Sequence, residues 1–176
     1  WVSEMLAGGT STFYQYEGKT KVGVYDVAQK KYVPLTRPAG FVTISGSKKV
    51  AENAGATLYD IGDGVGLVEF HTKMNALDDD IFEIATLALD KAETEFDGLV
   101  IGSEAENFSA GANLFMVVVA AQQGMWDTLD GAIRKLQGLN MRMRYFPKPV
   151  VVAPAGLALG GGAEVTMHGS RVVAAG

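Results

Sequence analysis

"GLALGGGAEVTMHG", residues 156–169, sets three consecutive glycines between an apolar run and a stretch of helical composition. A turn rarely needs three glycines, and a packed core gains nothing from missing side chains. Backbone that must approach a foreign group closely, or aim N–H groups at charge, does need them. On either side stand "PVVVAPA" (149–155) and "RVVAA" (171–175), two apolar runs of strand length. Strand, glycine-rich turn, helix and strand in that order form a βαβ unit, whose strands are parallel and whose crossover is right-handed.

The same rhythm extends upstream. "GLVIGS" (98–103) is a short continuous apolar run of the kind buried on both faces. It is followed by "NFSAGANLFMVVVAAQQ" (107–123), which passes from loop to helix. Trp126, Leu129, Ile133, Leu136 and Met143 then mark a second amphipathic helix. Further back, "ATLYDIG" (56–62) and "VGLVEFH" (65–71) read as strands joined at Gly62-Asp63-Gly64. A long helix comes next, with Asp78 to Asp80 at its N-terminus and Ile81, Ile84, Leu87, Ala88 and Ala92 at helical spacing. The expected fold class from residue 56 onward is α/β.

Residues 1–55 differ. A short helical piece (Val2, Met5, Leu6) precedes Gly8-Gly9, and "TFYQY", "KVGVYDV" and "KKYVPL" predict short strands turning at Gly18 and at Gln29-Lys30. The Gly-, Ser- and Pro-containing stretch that follows is expected to be a connector. The start at Trp1 and the close on "RVVAAG" read as the two ends of a piece of a longer protein.

Composition narrows the functional classes. The 176 residues are 48% hydrophobic, enough for one ordinary core. Fifteen basic against 20 acidic side chains give a net charge of −5, which disfavours a nucleic-acid surface. The absence of cysteine removes disulfides, thiol nucleophiles and thiolate metal sites, and accords with a cytoplasmic location. The apolar stretches are interrupted by proline and glycine and make poor membrane spans.

Several motifs lack the context their chemistry requires. "GDGVG" (62–66) has glycines at alternate positions, but a strand rather than a helix follows, so it reads as a hairpin turn and not a dinucleotide loop. No phosphate loop is present, and Ser109 lacks the Gly-x-Ser-x-Gly setting of a nucleophile. His71 and His168 have no helical pair spacing, so no metal site is expected. Lys73 and Lys148 read as solvated charges, with a phosphate contact the alternative for a lysine near a loop.

Two loops remain, "SAGAN" (109–113) and "LGGGAE" (159–164), each after an apolar strand and each opening a helix. Helix N-termini carry unpaired N–H groups and the positive end of the macrodipole. Two of them brought together could offer converging donors to a developing oxyanion. Glu164, two residues after the last glycine, is then a candidate general acid or base. The alternative is that the glycines serve close helix–sheet packing and Glu164 is simply a helix-start carboxylate.

"NFSAGANL" and "KPVVVAPAGLALGGGAE" resemble the two signature segments of the crotonase (enoyl-CoA hydratase/isomerase) family, and "VGLVEFHTKMNALDDDIF" is similar to its first strand and Asn-Ala-Leu turn. The resemblance covers about residues 56–176. It implies the N-terminal half of a ClpP/crotonase ββα spiral, preceded by a small mixed segment. The spelling of these runs, with "WVSEMLAGGTSTFYQYEG" ahead of them, looks like the bacterial multifunctional 3-hydroxyacyl-CoA dehydrogenases. That likeness implies that residues 1–45 end a dehydrogenase part, 46–55 link, and 56–176 belong to the crotonase-like domain. NAD would serve the dehydrogenase part, and this chain would need no cofactor of its own.

By motif match, the family's two oxyanion donors are the backbone N–H groups of Ala112 and Gly161, and the acid/base carboxylate is Glu164. Lys73, Met74 and Ala76, with Ala110, Asn113, Leu114 and Gly160, match positions that line the acyl-CoA site. A second glutamate is expected beyond Gly176. Most members carry Asp where Asn113 stands. The resemblance implies an acyl-CoA substrate in fatty-acid β-oxidation. Isomerase or thioesterase chemistry and a non-catalytic acyl-CoA-binding module stand as alternatives. Half a spiral exposes an apolar face, so a homo-oligomer is expected.

Overall fold

The computed structural model describes every residue except Lys19, Ala39 and Gly176. Ala39 belongs to the stretch read as a connector and Gly176 ends the crotonase-like region, so those two positions lie outside the described residues. The chain divides into two compact units, Trp1–Ser47 and Lys48–Gly176.

In the first unit, helix α1 (Val2–Ala7) buries Met5, and strands β1 (Tyr14–Glu17), β2 (Thr20–Asp26) and β3 (Lys31–Pro34) form an antiparallel sheet in chain order. The expected turns are present. Gly18 takes a left-handed conformation, as does Lys30, and Asp26 accepts from the N–H groups of Ala28 and Gln29 to close the second turn.

The second unit is built on a six-stranded sheet. Its strands are β4 (Lys48–Glu52), β5 (Ala56–Asp60), β6 (Val65–Phe70), β8 (Gly98–Gly102), β10 (Val150–Ala153) and β11 (Arg171–Val172). Their order in space is β11-β10-β8-β6-β5-β4, with β6, β8, β10 and β11 parallel and β4 and β5 antiparallel to their neighbours. A two-stranded parallel ladder stands apart, pairing β7 (Ala76–Leu77) with β9 (Gly111–Ala112). Helices α2 (Asp79–Thr94), α3 (Leu114–Gln122), α4 (Trp126–Arg144) and α5 (Gly161–His168) fill the connections.

The local causes are legible. Asp78 caps α2, its carboxylate accepting from the N–H of Ile81 at 3.0 Å. The inner face of α2 (Ile81, Ile84, Ala88, Ala92) packs with Ala56, Leu58, Val68, Phe70, Leu99, Ile101, Val150 and Val152 into one core. "GDGVG" is the β5–β6 hairpin turn, with Gly62, Asp63 and Gly64 all at positive φ and Ile61 N–H bonded to Val65 C=O at 3.0 Å.

Three expectations are corrected. Residues 48–52, inside the stretch read as a linker, are the edge strand β4. "KKVAE" hides this because a half-covered, charged edge strand carries little apolar signal. Lys148 is not a solvated charge: its ammonium donates to the carbonyls of Phe96 at 2.7 Å and Glu93 at 3.2 Å, tying down the C-terminal end of α2. Trp126 and Ile133 of α4 are exposed, so only the second half of that helix buries its apolar side, through Leu139 and Met143. Among the described residues, no helix is long and apolar enough to cross a membrane.

Candidate functional site

Ser109 explains how the site is assembled. It is fully buried, its hydroxyl donating to the Asn75 carbonyl at 2.6 Å and accepting from the Gly111 N–H at 3.0 Å. Both hydrogen-bonding capacities are used structurally, which accounts for a serine here without nucleophilic chemistry. Asn75, also buried, donates through Nδ2 to the Asn107 carbonyl at 3.0 Å, and the Ala110 N–H donates to the Met74 carbonyl at 3.1 Å. These bonds clasp the 73–76 turn against the loop before β9. They hold Met74 (φ 58°) and Asn75 (φ 49°) left-handed, a conformation that costs a non-glycine residue about 1–2 kcal/mol.

A second set of bonds laces the same loop to the glycine-rich one. Phe108 N–H donates to Ala155 C=O at 2.8 Å, Ser109 N–H to Leu157 C=O at 3.0 Å, and Leu159 N–H to Ser109 C=O at 2.9 Å. Asn107 Oδ1 accepts from Leu157 N–H at 2.9 Å. The two strand-to-helix loops named from the sequence therefore lie side by side.

What the glycines approach is each other's loop. Gly111 has φ 82°, and a Cβ there would lie 2.6 Å from the Leu159 carbonyl oxygen and 3.0 Å from the Gly161 nitrogen. A Cβ at Gly162 would lie 2.7 Å from that of Ser109, and one at Gly161 would lie 4.0 Å from the Ala112 nitrogen. Gly160 supplies the turn, at φ 49°. In the first turn of α5, Gly162 N–H bonds Leu159 C=O and Glu164 N–H bonds Gly160 C=O. The Gly161 N–H has no acceptor among the described residues. The helix N-terminus thus keeps an unspent donor beside Ala112.

The remaining sequence-predicted residues fall around this point. Ala76 is the register partner of Gly111, and Ala110 immediately precedes Gly111. Met74 is exposed on the adjoining turn with Lys73. Asn113 caps α3, its side-chain oxygen accepting from the Met116 N–H at 3.4 Å, and Leu114 opens that helix largely exposed. Asparagine meets the capping need that aspartate would, because the cap uses only a side-chain oxygen.

Glu164 is half-buried in the first turn of α5, and its carboxylate makes no ion pair or hydrogen bond among the described residues. It stands three residues from Gly161 and so on the same face of the helix. The two histidines remain apart. His168 donates through Nδ1 to the Glu164 carbonyl at 2.7 Å, whereas Nε2 of His71 bonds the Thr57 hydroxyl at 3.0 Å. Among the described residues, no group of three or more histidines and carboxylates is placed to hold a metal ion.

Sequence reasoning placed Asn75 in the Asn-Ala-Leu turn but missed its clasp to Asn107 and the structural use of Ser109. Asparagine is one of the few non-glycine residues that tolerate the left-handed region, which was the available signal.

The sequence profile of the enoyl-CoA hydratase/isomerase family matches residues 67–176. A Bacillus subtilis (strain 168) protein named "Probable 3-hydroxyacyl-CoA dehydrogenase" is 39% identical over 99% of this chain, which spans 22% of that protein. Among solved structures, an enoyl-CoA hydratase from Polaromonas sp. JS666 is 27% identical with a TM-score of 0.61, covering 73% of this chain and 48% of that one. An enoyl-CoA hydratase from Bacillus halodurans superposes with a TM-score of 0.63 at 21% identity, over 69% of this chain and 50% of that one, a likeness of fold. The chain thus spans about a fifth of the B. subtilis relative and half of these structures or less.

Proposed function

The chain belongs to the enoyl-CoA hydratase/isomerase family, and we propose that it binds acyl-CoA thioesters and, within its full-length protein, hydrates 2-enoyl-CoA. The thioester oxygen accepts from the N–H groups of Ala112 and Gly161, which stabilise the enolate-like charge that develops when water adds to C3. Glu164 exchanges a proton with that water, whose oxygen bonds C3 while a proton goes to C2. Lys73, Met74, Ala76, Ala110, Asn113, Leu114 and Gly160 line the thioester and CoA path.

The observation that carries this reading is the approach of Gly111 to Gly161. It sets an α5 donor with no acceptor among the described residues beside Ala112, in a space that the glycine at 111 leaves open.

The relative that aligns along 99% of the chain carries a 3-hydroxyacyl-CoA dehydrogenase name, which supports reading residues 1–45 as the end of a dehydrogenase part. We place the full-length protein in cytoplasmic fatty-acid β-oxidation, and a Rickettsia prowazekii relative, 32% identical over 73% of this chain, named a fatty acid oxidation complex enzyme supports the pathway. The 62–66 turn is a hairpin with no helix after it, so no residue here is assigned to NAD. Leu114, Phe115, Met116 and Trp126 are each more than half exposed, which supports self-association. Sedimentation equilibrium is expected to show an oligomer, and a monomer at high concentration would remove that part of the reading.

The direct test is a titration with acetoacetyl-CoA, following the ultraviolet absorbance of its enolate. A saturable enolate signal is expected, weakened about a hundredfold by Gly161→Pro. Proline is tolerated at a first helical position, and the N–H it removes has no acceptor among the described residues, so the donor is lost while the helix stays. A Cβ there meets the ends of Leu77 and Leu136, both flexible side chains, and touches the Ala112 nitrogen only at an ordinary van der Waals distance of 4.0 Å. An enolate signal unchanged by Gly161→Pro would overturn the assignment.

A further inference from the structure

Asn140 is a buried polar side chain that the site described above does not use, and unlike buried Thr57, whose hydroxyl bonds His71, it holds an atom with no partner among the described residues. It is 2% exposed on α4, and its Oδ1 is shut off from solvent with no hydrogen-bond partner among the described residues. A buried amide oxygen left unpaired is destabilising, and an apolar residue of the same shape would remove the penalty. Its surroundings on α4, Leu136, Leu139 and Met143, offer no reason for an amide.

Its place on the helix is informative. One side of α4 faces α2, where Lys135 pairs with Asp79 and Arg142 with Asp90 and Glu93. Leu136 points elsewhere: its Cδ2 would lie 3.2 Å from a Cβ at Gly161, so this side of α4 meets α5 at its first turn. Asn140 stands one turn beyond Leu136, as Glu164 stands about one turn beyond Gly161. The helices run in the same direction: α4 passes the start of α5 at Leu136 and then leads into β10, while α5 leads into β11, which is parallel to β10. Running on from the Leu136–Gly161 contact, the turn carrying Asn140 follows α5 toward the turn carrying Glu164, whose carboxylate likewise has no partner among the described residues.

We propose that Asn140 is a positioning residue for Glu164. Its carboxamide hydrogen-bonds the Glu164 carboxyl when substrate occupies the site, fixing the rotamer from which the proton is exchanged. Nδ2 can donate to the ionised carboxylate and Oδ1 can accept from the protonated acid, so one amide serves both states. The inference rests on the reading of Glu164 as the acid/base group.

The test compares hydration of crotonyl-CoA by the full-length protein, its Asn140→Leu variant, and both again in a Glu164→Gln background. Asn140→Leu is expected to leave the thermal midpoint unchanged or raise it, to lower kcat at least about tenfold, and to leave KM within about twofold. In the Glu164→Gln background the same change is expected to have no further effect on the residual rate. A purely structural asparagine would move stability and rate together, in both backgrounds alike. Should leucine perturb packing, Asn140→Ala carries the same comparison, since each pair differs only at position 164. Unaltered kcat in Asn140→Leu, or an equal loss in both backgrounds, would overturn the inference. Absence of hydration by the unsubstituted protein would instead overturn the functional reading on which it rests.

Discussion

Glu164→Gln in the full-length protein is expected to lower kcat for 2-enoyl-CoA hydration by about 10²- to 10⁴-fold, the usual contribution of a positioned acid or base. Acyl-CoA affinity should stay nearly unchanged, because the proposed thioester contacts are backbone N–H groups that the substitution does not touch. Glutamine has the shape of glutamate but cannot exchange a proton at neutral pH. It also leaves α5 intact: the His168 Nδ1–H donates to the backbone carbonyl of residue 164, and the residue 164 N–H bonds Gly160 C=O. The contrast between kcat and affinity makes the result diagnostic. Equal turnover by the variant and the unsubstituted protein would sink the hydratase reading. Acyl-CoA binding without turnover in either would point to the non-catalytic binding module.

Gly111→Ala is expected to have the second large effect, on stability and site together. At φ 82° an alanine bears about 1–2 kcal/mol of backbone strain, before any clash is counted. Its Cβ would stand 2.6 Å from the Leu159 carbonyl oxygen and 3.0 Å from the Gly161 nitrogen, both backbone atoms with no rotamer to relieve the contact. The glycine-rich loop must move away, and Gly161 with it. We expect a loss of about 2–4 kcal/mol, read as a midpoint lowered by about 5–12 °C, together with loss of the acetoacetyl-CoA enolate signal. By contrast, Gly131 and Gly138 on α4 have open space around the Cβ position, so alanine there tests substitution as such without touching the site. Retention of both the midpoint and the enolate signal by Gly111→Ala would mean that the two loops are not held as close as described.

Much of this protein was legible from sequence because its signals are local. The strand–helix rhythm from residue 56 onward, the Asp78 cap of α2, the hairpin at 62–64 and the apolar cores of β8 and β10 each follow from composition and spacing within a few residues. The glycines at 111 and 160–162 likewise announced a close approach, since absent side chains have few other uses in adjoining loops. The object of the approach was a tertiary matter. Ser109 bonds residues 34 positions before it and two after it, and Asn75 reaches Asn107, so neither role has a local signature. Strand β4 exists because β5 offers it an edge, and Lys148 becomes a cap because the end of α2 lies beside it. Asn140 looks like one more polar residue on an amphipathic helix until the packing of α4 buries it. The sequence determined which segments are helix, strand and glycine turn, because propensity and periodicity act between near neighbours. Only the tertiary structure decided which polar groups meet across those segments, because burial and hydrogen bonding depend on what the fold brings from far along the chain.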